Sequence, residues 1–146
     1  MTIAKLLSSL VIITLAVGTL TCVCRTERTI KEKVCKADFV VVGVVASKGE
    51  GGRSSYYSDG PIKMTWYEVT VKEVLKSKQT IKKTMGIWTP QHSCGLRLEK
   101  GPTLLIAGIV PPHGMHDVNI CDGVFVEVKD DSETVLYYRQ ILDNEC

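Results

Sequence analysis

Thr21-Cys22-Val23-Cys24-Arg25 orders the reading of the whole chain: two cysteines one valine apart, where an apolar run gives way to a charged segment. Upstream, Lys5 is the only charged residue before Arg25, and the run from Leu6 to Thr21 lies between them. A positive start, an apolar run shorter than the roughly 18 residues of a membrane span, and small residues at its end mark a secretory signal peptide. Cleavage after Thr21 uses Thr19 and Thr21 as the small pair and starts the mature chain at Cys22. Cleavage after Gly18 uses Ala16 and Gly18 and leaves Thr19-Leu20-Thr21 in front. The expected organisation is a signal peptide over 1–21 and one domain over 22–146, secreted, extracellular and free of the membrane once the signal is removed.

The composition suits one globular domain. Of 146 residues, 45% are hydrophobic and 23% charged, which disfavours disorder, collagen and coiled coil. Lys and Arg number 18 against 16 Asp and Glu, too balanced for a nucleic-acid binder working by bulk charge. The six cysteines are the unusual feature. In an oxidising compartment they read as three disulfides whose connectivity arithmetic alone leaves open. Cys22 and Cys24 stand at the expected mature end, where chains normally fray. If both bond far away, two cross-links immobilise one tripeptide, which implies a terminus kept rigid for a purpose. Metal binding by the Cys-x-Cys pair is the rival reading, and secretion argues against it.

Downstream the pattern is β-rich with helical ends. Ile30 and Val34 can share a face of a short helix within Thr26–Lys36, with Cys35 beside them. Ala37–Ser47 is a β-branched strand bent or closely approached at Gly43. Lys48–Pro61, rich in Gly and Ser, reads as a long exposed loop. Ile62–Leu75 alternates as a long strand, with Met64, Trp66, Glu68 on one side and Tyr67, Val69, Val71 on the other. Thr80–Trp88, Leu104–Ile109 and Val118–Val128, the last broken near Cys121-Asp122-Gly123, complete five strands. Asp131 or Ser132 can cap a C-terminal helix with Val135, Tyr138 and Leu142 on one side. Five short strands with turns between them suggest a small closed or Greek-key barrel.

No catalytic constellation emerges. His92, His113 and His116 lack zinc-protease spacing, and His113-Gly114-Met115-His116 reads as a solvated loop more readily than as a metal site. Neither a nucleophile elbow nor a phosphate loop occurs. Lys72, Lys76, Lys78, Lys82 and Lys83 form a basic run that could meet heparin-like polyanions or matrix, though Glu73 within it favours a solvated hairpin tip.

These features together resemble the tissue inhibitors of metalloproteinases, whose inhibitory half is a netrin-like domain. The resemblance rests on Cys22-Val23-Cys24 after a signal peptide, Cys35 eleven positions on, Thr89-Pro-Gln-His-Ser-Cys-Gly95, Leu104-Leu-Ile-Ala-Gly108, Gly114-Met-His116, Cys121-Asp122 and a closing Cys146 after a helix. It implies a mainly β, five-stranded OB-fold Greek-key barrel with short flanking helices and the bridges Cys22–Cys94, Cys24–Cys121 and Cys35–Cys146. Vertebrate members continue into a second domain, so the chain is similar to a single-domain invertebrate-type member. The function implied is a secreted, non-enzymatic metalloprotease inhibitor, a monomer directed at zinc proteases of the matrix metalloproteinase type. The α-amino nitrogen and carbonyl oxygen of Cys22 would chelate the partner's catalytic zinc, with no cofactor intrinsic to the chain. Val23 would enter the S1′ pocket, Cys24 and Arg25 would continue the wedge, and Ser93-Cys94 would form the adjacent ridge. Tyr56 and Tyr57 are an extra contact or a plain hairpin tip. The chain departs from the family pattern at Arg25-Thr26, where many members carry a small or apolar residue followed by proline. The alternative function is a non-inhibitory netrin-like module that binds matrix, cell-surface or host proteins.

Overall fold

The β-branched run after Asp38 forms the first strand, β1 (Phe39–Ser54), in the computed structural model, which describes residues 21–54, 61–129 and 132–146. β1 runs past Ser47, where the sequence reading ended it, and takes Lys48–Ser54 out of the expected loop. Lys48 pairs with Tyr67 and Ser54 with Ile62 on the second strand, β2 (Ile62–Ser77). Gly51 in this extension makes room for an aromatic ring: a Cβ there would lie 1.9 Å from Trp88 Cζ3. Glycine here is a packing surface within a strand and not a loop signal. Register shifts at Val40/Val41, Val42/Gly43, Val45/Ser47 and Gly51/Arg53 bend the ribbon, the second at the glycine where a bend was expected. Tyr56 and Tyr57 lie outside the described residues.

The third strand, β3 (Thr84–Pro90), begins later than Thr80, because Ser77 and Gln79 close a local turn and Lys83 O accepts from Val71 N before the ladder starts. β4 (Thr103–Gly108) returns along β1. Of the expected fifth strand over Val118–Val128 only Val124–Glu127 is strand, β6; a short β5 (His116–Asp117) precedes that range, and the turn that carries Cys121 separates the two. The sheet order is β5-β3-β2-β1-β4-β6, antiparallel except for β3 with β5. Asp117 also exchanges two hydrogen bonds with Ile109, just after β4, at 3.0 and 2.8 Å. That isolated bridge links β5 to the chain just beyond β4 in a sheet that is otherwise open at β5 and β6, consistent with the OB architecture the resemblance implies.

Both faces of β1 are buried, which explains its unbroken apolar run. Val41 and Val45 join Phe39, Tyr67, Val69, Ile87, Ile106 and Val118 inside the barrel. Val40 and Val42 face outward, into a second layer with Leu105, Ala107 and two helices. The first helix, α1 (Ile30–Lys36), starts on a capping box in which Thr29 Oγ1 accepts from Glu32 N and Glu32 Oε2 accepts from Thr29 N. The expected short helix forms with Ile30 and Val34 four residues apart in it; Val34 is buried and Ile30 is 51% exposed. The second helix, α2 (Ser132–Asn144), buries Tyr138 and Ile141 with Val135 and Leu142 packed beside them. Asp131, the other expected cap, lies outside the described residues. Cys35–Cys146 ties α1 to the chain end beyond α2.

Candidate functional site

The N-terminal segment lies across two turns at one end of the barrel and is bonded to both. Cys22 is joined to Cys94 and Cys24 to Cys121, with Cα atoms 4.8 and 5.5 Å apart. This pairing, with Cys35–Cys146, is the one the resemblance implies. The two bridges touch, Cys22 Sγ lying 3.6 Å from Cys121 Sγ. Between the two anchored cysteines, Val23 is 82% exposed, more than any other large apolar side chain among the described residues. A stiff β-branched side chain held bare in water by covalent bonds on both sides is a preorganised apolar contact.

The first turn, after β3, is held by its own backbone amides, which donate to two side chains and one carbonyl. Thr89 Oγ1 accepts from Leu96 N at 2.7 Å, His92 Nδ1 from Cys94 N at 3.0 Å, and His92 O from Gly95 N at 2.9 Å. Gly95 has to be glycine: a Cβ there would sit 1.7 Å from Pro90 O. The buried Tyr67 hydroxyl donates to Leu96 O and accepts from Leu98 N, fixing the far side of the turn to the barrel wall. Ser93 is exposed at the crest beside Cys94.

The second turn depends on Asn119, which sequence reasoning did not single out. Its buried side chain accepts from Cys121 N at 2.9 Å and Asp122 N at 3.0 Å, an Asx turn that presents Cys121 to Cys24. Asn119 followed by Asp122-Gly123 was the available signal. Ile120 N donates to Cys94 O at 2.9 Å, so the two turns are one continuous ridge. Arg28 and Lys33 reach the same turn, at Asp122 Oδ1 (2.5 Å) and Ile120 O (2.7 Å). Cys22, Val23, Cys24, Arg25, Ser93 and Cys94 thus come together on one surface. A shallow groove beside Val23 is lined by Arg25, Arg28, His92, Asn119 and Asp122.

Among the described residues, one group of three side chains is close enough to suggest metal ligation, Cys22, Cys94 and Cys121. All three sulfurs are in disulfides and offer no thiolate. His113 is exposed and accepts from Met115 N, whereas His116 is half-buried with Phe39 edge-on at 5.0 Å. Burial holds the His116 imidazole below its usual pKa, against an opposing hydrogen bond to the Gly86 backbone. The lysine run does not form one strip. Lys72 reaches Thr103 Oγ1, whereas Lys76, which donates to Cys35 O, and Lys78, which pairs with Asp38, lie near one another. No helix among the described residues is long and apolar enough to cross a membrane.

A family model described as tissue inhibitor of metalloproteinase matches residues 20–135. No curated protein matches the chain.

Proposed function

The chain belongs to the tissue inhibitor of metalloproteinase family, and from that premise we propose that it blocks zinc metalloproteases of the matrix type through a mature terminus at Cys22. Membership supports the role of a metalloproteinase inhibitor rather than an enzyme, in a family whose members are typically secreted. In the proposed mechanism the signal segment is cleaved after Thr21. The freed α-amino nitrogen and the carbonyl oxygen of Cys22 then occupy the open position of the partner's catalytic zinc and displace the water it would activate. The zinc is the protease's own. The amine chelates only when neutral, and an α-amino pKa of about 7.7 to 8.0 makes that form accessible near neutrality.

Val23 enters the S1′ pocket and contributes about 1.5 to 3 kcal/mol if fully buried. Arg25 and Ser93 meet the rim on either side. The observation that carries this reading is the 82% exposure of Val23 between two cysteines each bonded to a different turn. Such an arrangement spends two cross-links on holding an apolar side chain out of the core. N-terminal sequencing of the secreted protein tests the reading. Cys22 is expected as first residue; a chain beginning at Thr19 would leave the amine three residues from where chelation needs it and overturn the mechanism.

A further inference from the structure

Residues 25–29 run from the second bridged cysteine to the N-cap of α1 and contain no proline. Their covalent structure therefore leaves open the direction in which the chain leaves Cys24. Contacts with the neighbouring turn supply that direction. Cys24, Arg28 and Lys33 meet three consecutive residues, Cys121, Asp122 and Ile120, through a disulfide, an ion pair and a hydrogen bond. The turn is itself rigid, since Asn119 Oδ1 holds both the Cys121 and Asp122 amides and Ile120 N is bonded to Cys94 O. Arg28 is only 30% exposed, and its buried Nε has no hydrogen-bond partner among the described residues, so Asp122 is the group on which the guanidinium is oriented.

We propose that the Arg28–Asp122 ion pair is a positioning element of the inhibitory wedge, setting the angle at which Cys22-Val23-Cys24 leaves the barrel. The proposal rests on the reading of Cys22 and Val23 as the target-contacting residues. The bridges at Cys22 and Cys24 define an axis through the tripeptide; a third attachment, four residues past Cys24, removes rotation about that axis. A partly exposed ion pair adds little to global stability, so its effect is on orientation. Without it the binding-competent orientation becomes a fraction of the population, and apparent affinity falls by that fraction through slower association.

The test uses the mature chain with Arg28→Gln, with Asp122→Asn, and with the swapped pair Arg28→Asp/Asp122→Arg. Association and dissociation rates are measured against a zinc metalloprotease that the unaltered chain inhibits, together with thermal unfolding and amide exchange over residues 23–28. Each single variant is expected to associate about tenfold more slowly, the factor carried by ordering roughly one residue of backbone. Dissociation and the unfolding midpoint should be unchanged, exchange over 23–28 faster, and the swap should recover most of the association rate. An unchanged association rate, a loss expressed in dissociation, or a swap as impaired as the singles would overturn it. If the unaltered chain inhibits no zinc metalloprotease, the inhibitor reading fails separately. Unchanged amide exchange in the single variants would then overturn the positioning role by itself.

Discussion

Two side chains carry testable consequences of opposite kinds. Val23 is bare in the free protein, so replacing it should leave stability untouched and act only on the complex. Val23→Gly is expected to raise the inhibition constant about tenfold or more, the equivalent of losing the Val burial term; an unchanged constant would remove Val23 from the interface. His116 acts on the fold alone. Its depressed pKa means that the native state binds the proton less well than the unfolded chain does. Its contribution is therefore complete above the unfolded value of about 6.5 and is lost as pH falls through that value toward the lower folded one. Stability measured by denaturant should drop on acidification below about pH 6.5, and His116→Gln should flatten that limb; superimposable profiles would contradict this. Asp38 works in a separate window. Burial pushes its carboxyl up, but bonds from Lys78 and Val110 N outweigh burial and hold it low, so its contribution is lost only below about pH 3.9.

At the scale of elements, the period-2 and β-branched patterns located four strands, because those signals come from the buried barrel wall. Strand ends were less legible. The glycines of Lys48–Ser54 carry the usual mark of a loop, and only Trp66 and Trp88, distant in sequence, turn them into strand. The expected last strand loses its first half to the Asn119 turn, whose bonds to residues 121 and 122 outcompete pairing there, so that only β6 remains of it. Of the ridge, the cysteines were legible and the hydrogen bonds that aim them were not. Gly95 shows how tightly the ridge is drawn. Gly95→Ala forces the turn away from Pro90 O, which should cost about 1 to 3 kcal/mol of stability and weaken inhibition as Cys94 shifts. A variant with wild-type denaturation and inhibition would show that the turn is free to relax.

In the whole molecule the three bridges span 72, 97 and 111 residues, and they divide the labour. Cys35–Cys146 closes the helical layer, while the other two bring the Cys22–Cys24 segment onto a ridge made of turns far away in sequence. The pairing was legible only through the family resemblance, because six cysteines by themselves leave the connectivity open. The angle of the terminus was not, since it depends on Arg28, Lys33 and Asn119 meeting residues of ordinary type across the fold. Under the proposed chelation, function rests on a backbone amine that exists only after cleavage before Cys22. The most direct measurement compares the inhibition constant of a chain beginning at Cys22 with that of one carrying a single additional alanine before it. The extended chain is expected to keep its three disulfides and unfolding midpoint and to lose inhibition; equal inhibition by the two chains would contradict chelation through Cys22.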